Sequence, residues 1–262
     1  MQPRCPEMPT IIHNQEIPQN LQSILKDTHV WAMMTGAGIS AESGVPTFRD
    51  AQTGLWANYH PEELASPEGF RRDPERVWNW YEHRRNLIAK AKPNKGHECI
   101  VSLASQVGAF HLITQNVDGL HQQAGSTDVI ELHGNIHRTI CFEQGHEVEK
   151  WEPASHTPPT CPLCKSFLRP GVVWFGESLP VDAMRKAESV ASSCEVFFSV
   201  GTSSVVYPAA GLAHAAKQAG AILIEINPDE TPLSPETDFV FRMNASQALA
   251  IMNDCRRQAG KS

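Results

Sequence analysis

The chain has no run of basic residues and no apolar stretch long enough to cross a membrane. Its 22 Lys and Arg are outnumbered by 29 Asp and Glu, so its formal net charge is -7. Non-specific nucleic-acid binding needs clustered cations, and a membrane-spanning helix needs about 20 consecutive apolar residues. The longest apolar stretches, such as residues 221–226, are far shorter than that. We therefore expect neither a nucleic-acid partner nor a membrane partner.

Paired cysteines are also scarce. The chain has seven cysteines, an odd number, and only Cys161 and Cys164 form a C-x-x-C pair. This pattern does not fit a secreted disulfide framework. The first 20 residues contain one Arg and no apolar core, unlike a secretory signal or a transit peptide. We expect a cytoplasmic protein in which residues 1–20 form a flexible tail.

Short apolar segments alternate with helical stretches along most of the chain. Strands are predicted at residues 30–34, 110–114, 129–132, 194–200 and 221–226. A helix is predicted from Asp73, as the N-cap before Pro74, to the residue before Pro93. This order predicts an α/β fold with a Rossmann-type, doubly wound parallel sheet.

Two regions interrupt the alternation. Residues 139–169 carry three cysteines and four prolines. They are predicted to form a small inserted module that resembles a zinc ribbon, and its cysteines are candidate metal ligands. The Rossmann-type domain then comprises residues 21–138 and 170–258. Residues 45–67 are rich in proline, glycine and aromatics, and we expect a mobile loop over a cofactor.

A glycine motif follows the first predicted strand. Gly36, Gly38 and Ala41 fit the pattern G-x-G-x-x-G/A, which lets a backbone approach a pyrophosphate at a helix N-terminus. A tight strand-to-helix turn would explain the same residues. A dehydrogenase would also place an acidic residue about 20 positions on, at the end of a second strand. That distance falls in the irregular loop, which argues against hydride transfer.

Six segments, spread from about residue 35 to residue 231, carry a family resemblance. They are GAGISAESGVPTFRD, TQNVDGLHQQAG, ELHGN, RPGVVWFGE, GTSSVVYPAA and EINPDET. Together, and in this order, they resemble the sirtuins. The resemblance implies an enzyme with a Rossmann-type domain and a small zinc module. Sirtuins consume NAD and move the acyl group of an acyl-lysine protein or peptide onto ADP-ribose, releasing nicotinamide.

The resemblance also implies residue roles. NAD would contact Gly36, Ala37, Gly38, Glu42, Thr47, Phe48, Arg49, Trp56, Gln115, Asn116, Asp118, Gly201, Thr202, Ser203, Asn227 and Ala245. Asn116 and His133 would be catalytic, with His133 as the general base that deprotonates a ribose hydroxyl. Asn116 or Asp118 would otherwise be helix caps, and His133 would be one of twelve ordinary histidines.

The acyl preference rests on Tyr81 and Arg84, which share one helical face at i, i+3. A phenol beside a guanidinium can bind a carboxylate. The pair resembles class III sirtuins, which remove succinyl, malonyl and glutaryl groups, and Ala65 matches the small residue of their acyl pocket. The alternative is a surface arginine paired with Glu82 or Glu75, and a tyrosine packed in the core.

The peptide would pair with an extended strand at residues 172–175, through Val173, Phe175 and Gly176. A plain core strand is the alternative.

The predicted metal site departs from the family pattern. Sirtuins usually hold zinc with two C-x-x-C pairs, but here Gln144 stands where the second cysteine of the first pair is expected. Cys141, Cys161 and Cys164 remain, and His146 is a possible fourth ligand. The alternatives are a module without metal, or a redox pair of Cys161 and Cys164.

Two other functions use the same crevice. An NAD-dependent mono-ADP-ribosyltransferase or NAD hydrolase would release nicotinamide without an acyl-lysine substrate. A non-catalytic NAD-sensing module would have lost Asn116 or His133, and both are present.

Overall fold

The computed structural model of the chain describes residues 8–13, 16–46, 60–151 and 156–259. Its strands are β1 (Thr10–Ile12), β2 (Val30–Thr35), β3 (Ala109–Thr114), β4 (Ile130–Glu131), β5 (Gly134–Cys141), β6 (Leu168–Val172), β7 (Val196–Val200), β8 (Ile222–Ile226) and β9 (Phe239–Phe241). All except β5 and β6 form one parallel sheet in the order β1-β9-β8-β7-β2-β3-β4. The predicted doubly wound α/β fold is confirmed, and the five predicted strands lie within two residues of the observed ones.

Helices cover both faces of the sheet. They are α1 (Gln19–Asp27), α2 (Gly38–Ala41), α3 (Pro61–Leu64), α4 (Pro67–Arg72), α5 (Pro74–Ile88), α6 (Lys95–Ala104), α7 (Leu120–Ala124), α8 (Val181–Ala191), α9 (Gly211–Gln218) and α10 (Ala245–Ala259). Helices α1, α6 and α10 pack in the core on one face, and α8 and α9 on the other. Among the described residues, no helix is both long and apolar enough to cross a bilayer.

Strand β2 lies inside the sheet, between β7 and β3. Trp31 and Met33 join the core on one face, whereas Ala32 and Met34 join the core on the other. A parallel strand covered on both sides has no solvent face, so it is apolar along its whole length. This is why the run at 30–34 could be recognised from the sequence.

The order of the strands reverses beside β2. From β2 the chain runs to β3 and β4 on one side, and the later strands β7, β8 and β9 lie on its other side. The carboxyl ends of β2 and β7 therefore open onto the crevice where doubly wound sheets bind ligands.

The predicted flexible tail needs a correction. Residues 10–12 form β1 and pair with β9, and the side chain of Ile12 is buried in the core. Helix α1 also begins at Gln19, inside the predicted tail. The short strand is ordered because the N–H of Thr10 donates to Asp238 and the carbonyl of Ile12 accepts from Arg242.

Helix α5 begins as predicted. The Asp73 side chain accepts a hydrogen bond from the N–H of Arg76, and Pro74 is the first helical residue. The helix ends at Ile88, four residues before the predicted end at Lys92. The N–H groups of Lys90 and Ala91 bond to carbonyls three residues earlier, so the last turn tightens before Pro93.

Strands β5 and β6, which come between β4 and β7 in the chain, form a separate antiparallel pair. The Arg85 guanidinium on α5 donates to the carbonyls of Ile136 and Arg138 and so ties the helix to β5. The pair starts at Gly134 and ends at Val172, beyond both limits predicted for the inserted module, and those limits remain a prediction.

Candidate active site

The loops after β2 and β7 touch through their backbones. The N–H of Gly38 donates to the carbonyl of Gly201 over 2.8 Å, and the N–H of Gly36 donates to Val200 over 2.9 Å. A Cβ added to Gly38 would lie 2.7 Å from the Cα of Gly201. The glycines of the motif are therefore required by loop packing, whether or not a pyrophosphate is bound.

A buried polar network extends from this contact. The Asn116 amide donates to the carbonyl of Gly36 and to the hydroxyl of Ser40, each over 3.1 Å. The Ser40 hydroxyl donates to an Asp118 carboxylate oxygen over 2.8 Å. Asn116 is 8% and Asp118 6% exposed, so both side chains are held in one orientation.

Asp118 has a second role. Its other carboxylate oxygen accepts the N–H of Leu120, the first residue of α7, over 2.9 Å. The N-cap of α7 is Gly119, so Asp118 lies one residue before it and bonds to the first N–H of the helix without being the cap, whereas the Asn116 amide contacts the glycine loop. One carboxylate thus orients both α7 and Ser40.

The site continues along the carboxyl edge of β7 and β8. The Gln115 amide is 3.3 Å from the Thr202 hydroxyl, and the Asn227 amide donates to the Thr202 carbonyl over 2.9 Å. Ser203 and Glu42 are exposed, Ala37 is half-buried and Ala245 is buried. The structure brings these predicted residues to one edge, while Thr47, Phe48, Arg49 and Trp56 lie outside the described residues.

His133 follows β4 and faces the same edge. Its Nδ1 lies 3.0 Å from the carbonyl oxygen of Gln115. A carbonyl only accepts, so Nδ1 carries the proton and Nε2 has the lone pair when the ring is neutral. Burial lowers the pKa of His133, and the bond to Gln115 partly opposes this. The ring is therefore neutral near pH 7 and can accept a proton at Nε2.

Tyr81 and Arg84 lie inside the protein on α5. Tyr81 is 2% and Arg84 9% exposed, and Ala65 is also buried. The indole N–H of Trp174 donates to the Tyr81 hydroxyl over 2.9 Å. The alternative of a surface arginine is wrong because Arg84 is buried, and Glu82 pairs with Arg85. The second part of that alternative, a tyrosine packed in the core, is correct for Tyr81.

Burial sets the charge of this pair. It raises the pKa of Tyr81 to about 12, so the phenol is neutral at physiological pH. Burial also lowers the pKa of Arg84, while Tyr81 and Asp118 oppose that change. An arginine keeps its proton in a protein. The pair therefore offers a hydroxyl donor and a cation within one buried region.

The segment after β6 joins His133 to this region. The N–H of Val173 donates to the carbonyl of His133 over 2.9 Å, and that of Phe175 to the carbonyl of Ala65 over 2.8 Å. The strand predicted at 172–175 is therefore wrong, because β6 ends at Val172 and the following N–H groups bond inward. Val173 is half-buried, and Phe175 and Gly176 are exposed beside the site.

Trp174 and Ser40 bond to predicted site residues, Tyr81 and Asp118, but the sequence pattern did not predict either of them. Trp174 is 2% exposed, between less buried neighbours at 173 and 175. Its ring stacks on the Arg169 guanidinium, 3.5 Å from the ring centroid, and Glu177 pairs with that guanidinium. The alternating pattern of the segment, in which every second side chain turns inward, was the signal that could have identified it.

Two histidines lie beneath the polar network. His97 and His121 are 0% and 1% exposed, and their ring centroids are 4.9 Å apart. His121 Nε2 lies 2.8 Å from the Thr35 hydroxyl. Burial lowers the pKa of His121 to about 3 and also lowers the pKa of His97. Both rings are packed in their neutral form.

The three cysteines of the predicted metal site come together in the structure. The Sγ atoms of Cys141, Cys161 and Cys164 lie within 4.8 Å of one another.

Comparison with known proteins identifies the family. A family model described as the Sir2 family matches residues 36–208. The chain belongs to the Sir2 family. The NAD-dependent protein deacylase of Aquifex aeolicus (strain VF5) is 54% identical over 226 residues, which cover 86% of this chain and 94% of the relative.

Further Sir2 relatives agree over nearly the whole chain. The NAD-dependent protein deacylase of Ralstonia nicotianae (strain ATCC BAA-1114 / GMI1000) is 45% identical over 94% of this chain and 99% of its own length. The crystal structure of a Sir2 homolog–NAD complex has a TM-score of 0.84 and 44% identity, covering 95% of this chain and 96% of that one.

The buried histidines of this Sir2 chain predict a loss of stability in acid. The unfolded state binds protons below about pH 6.5, whereas folded His121 does not until about pH 3. The free energy of unfolding should therefore fall as pH drops from 6.5, by up to about 1.4 kcal/mol per pH unit for each such histidine. Urea unfolding between pH 5 and 7.5 should show a smaller slope for His121→Gln. The exposed His83→Gln should keep the wild-type slope, and an unchanged slope in His121→Gln would contradict the argument.

Proposed function

We propose that the chain is an NAD-dependent protein lysine deacylase that prefers acyl groups ending in a carboxylate, such as succinyl, malonyl and glutaryl, over acetyl. Membership of the Sir2 family and the names of its relatives support the reaction. The preference rests on one observation: a buried arginine beside a tyrosine whose hydroxyl already accepts from Trp174.

The described residues fit NAD at the carboxyl edge of the sheet. The loops after β2, β3, β7 and β8 meet there, and the glycine contact brings two of them together without an intervening side chain. NAD supplies ADP-ribose as the acceptor of the acyl group and nicotinamide as the leaving group. Asn116 and Asp118 are fixed by Gly36 and Ser40, so they present preset polar atoms to the ligand.

His133 is proposed to remove the proton from a ribose hydroxyl. Its Nδ1 hydrogen bond to Gln115 fixes the ring, and its Nε2 is the basic nitrogen. A general base must be unprotonated at the operating pH to accept a proton. The lowered pKa of His133 meets this condition.

The acyl receptor is built from Tyr81, Arg84 and Trp174. Since the Tyr81 oxygen accepts from the Trp174 indole, the phenolic proton is directed away from Trp174 and can be donated to a ligand. A carboxylate would accept it and pair with the Arg84 guanidinium, which suits carboxylates. An acetyl group lacks the charge and makes neither contact.

The acyl-lysine is proposed to enter beside residues 173–176. The N–H groups of Val173 and Phe175 link this segment to His133 and Ala65, so a lysine passing it reaches both the base and the acyl pocket. The exposed Phe175 and Gly176 remain for the peptide. The small side chain of Ala65 leaves room for the acyl chain.

Replacing His133 with alanine should abolish NAD-dependent deacylation. General bases contribute about 100- to 10,000-fold, so kcat/KM should fall by at least about 100-fold while the protein stays folded. Product release from acyl-lysine peptides is measured by mass spectrometry, and folding by circular dichroism. The half-buried His214→Ala serves as the matched control. Full turnover by His133→Ala would refute the role of His133.

Replacing Arg84 with methionine should separate the substrates. A buried arginine–carboxylate contact contributes roughly 2–5 kcal/mol, so desuccinylation should fall by about 30-fold or more. Deacetylation of a matched peptide should fall much less. Equal losses would exclude the acidic-acyl preference. Nicotinamide release by the wild type at the same rate with and without peptide would favour an NAD hydrolase or ADP-ribosyltransferase instead.

Trp174→Phe should weaken the same preference more mildly. The variant keeps an aromatic ring against Arg169 but loses the N–H that orients Tyr81. A neutral hydrogen bond contributes about 1 kcal/mol, so KM for succinyl-lysine should rise about 5-fold with little change for acetyl-lysine. The control is a double-mutant cycle: in a Tyr81→Phe background Trp174→Phe should add nothing. Fully additive effects would show that Trp174 does not act through Tyr81.

A further inference from the structure

Glu225 is a buried acidic residue that the proposed reaction does not use. It lies in β8, between Ile224 and Ile226, and is 1% exposed. Those two isoleucines belong to the core on one face of the sheet, whereas Leu223 belongs to the core on the other, and Glu225 points to the same face as Leu223. Burying a carboxylate is costly unless it is paired and hydrogen-bonded, so its partners explain how the strand accommodates it.

Two hydroxyl groups of the β8 loop, residues 227–234, donate to Glu225. Thr231 donates to one carboxylate oxygen, and Ser234 donates to the other over 2.5 Å. The same hydroxyls accept backbone N–H groups of the loop, that of Thr231 over 2.9 Å and that of Leu233 over 3.1 Å. A glutamine could accept only one of the two hydroxyl protons, because its amide nitrogen is a donor. The carboxylate therefore sets the direction of every hydrogen bond in this network.

Arg242, the residue after β9, supplies the positive charge and closes the loop. Its Nη1 donates to Glu225 over 3.2 Å and to the carbonyls of Asn227 and Asp229 over 3.3 and 2.8 Å. Its Nη2 donates to the hydroxyl of Ser234 over 2.8 Å. One guanidinium thus bonds to both ends of the β8 loop. Replacing a buried ion pair with apolar residues is often neutral or even stabilising, so stability alone does not account for this pair.

The β8 loop reaches the crevice through Asn227. The amide of this residue donates to the carbonyl of Thr202 over 2.9 Å, next to the backbone contact between Gly201 and the β2 loop. Its Oδ1 accepts the N–H of Asp229 over 3.2 Å. A side-chain amide has two donor hydrogens and two acceptor lone pairs, so Asn227 can also bond to a ligand. Since Arg242 holds the carbonyls of Asn227 and Asp229, the placement of that amide depends on the ion pair.

The order of the strands indicates which half of NAD this loop meets. The strands follow one another as β8-β7-β2-β3-β4, and the proposed base His133 comes after β4. At about 4.8 Å between neighbouring strands, β8 and β4 are roughly 19 Å apart. The ribose that His133 is proposed to deprotonate is the one that nicotinamide leaves. The β8 end of the crevice is therefore left for the adenosine half.

We propose that Glu225 and Arg242 are positioning residues for the adenosine half of NAD. They hold the β8 loop in the conformation that presents Asn227 to the ligand, so that binding does not have to order the loop. Neither side chain takes part in the acyl transfer. The inference rests on the proposed placement of NAD at the carboxyl edge of the sheet, and it is independent of the acyl preference.

Titration calorimetry of the full-length protein with ADP-ribose tests this role. If Arg242→Met leaves the β8 loop ordered in about one-tenth of the molecules, the apparent Kd rises about 10-fold, because affinity falls with the competent fraction. KM for NAD should rise by a similar factor, while kcat at saturating NAD stays within about 2-fold of the wild type. Arg242→Lys keeps the charge without the planar fork and should give a smaller increase in Kd.

Two further variants isolate the ion pair. Arg242→Met leaves a buried carboxylate unpaired, so the double variant Glu225→Gln/Arg242→Met, which removes both charges, is measured beside it. Because the two residues act as a unit, the double variant should raise Kd no more than the two single changes combined, and by less than their product. Glu236→Gln is the matched control, since it removes a carboxylate that pairs with His214 on α9. Its Kd for ADP-ribose should equal that of the wild type.

Hydrogen exchange provides a readout that does not depend on turnover. Without ligand, the amides of the β8 loop should exchange faster in Arg242→Met than in the wild type, and ADP-ribose should restore their protection. Amides in β2 and β3, in the middle of the sheet, should exchange as in the wild type. Faster exchange in all of these strands would indicate global destabilisation and would contradict a positioning role.

Three results of the titrations would overturn the inference. The first is an unchanged Kd for ADP-ribose in both Arg242→Met and the double variant, which would leave the proposed function intact because the wild type still binds. The second is fewer binding sites with the wild-type Kd, which is partial unfolding. The third is a fall in kcat as large as the rise in KM. Wild-type protein that binds no ADP-ribose would refute the placement of NAD together with this inference.

Discussion

The backbone contact between the loops after β2 and β7 sets the geometry of the whole crevice. It exists because Gly36, Gly38 and Gly201 place no side chain between the two loops. The carbonyl of Gly36 then accepts from Asn116, and Ser40 in the adjoining helix α2 connects Asn116 to Asp118. A side chain at any of these glycines would separate the loops and disturb the polar residues that depend on them.

The site also depends on burial, which sets the protonation state of each ionisable group in a different way. Burial keeps the His133 ring neutral and the Tyr81 phenol protonated, whereas the Arg84 guanidinium remains a cation. Burial therefore leaves a neutral base, a hydroxyl donor and a positive charge on three different residues of the candidate site. The segment at 173–175 connects them, since its N–H groups bond to His133 and Ala65 and its indole bonds to Tyr81.

The main sheet was predictable because its strands are buried on both faces and read as apolar runs. β1 was not, since it is three residues long and is ordered by pairing with β9, a contact distant in sequence. The strand at 172–175 was predicted from the same kind of apolar run. Its backbone instead bonds to His133, Glu177 and Ala65, partners that local sequence does not indicate.

Within the site, residue types were easier to predict than partners. The glycine motif indicated a close backbone approach, but the approach observed is to another loop of the same chain. Tyr81 and Arg84 were placed on one helical face by their spacing, yet the partner Trp174 is 93 residues away in sequence from Tyr81. His146 was a candidate by position, and only the fold shows it directed at Cys161 while Gln144 is exposed.

Helix α5 carries two adjacent arginines whose side chains contact different parts of the protein. Arg84 is buried beside Tyr81 in the proposed acyl receptor, and Arg85 donates to the carbonyls of Ile136 and Arg138 in β5. Successive residues of an α-helix are rotated by about 100°. One residue inserted in α5 before this pair would therefore rotate both side chains away from their present contacts. The composition and the charge of the chain would hardly change. The length of α5 between Asp73 and Arg84 is consequently fixed in a way that the loops at its ends are not.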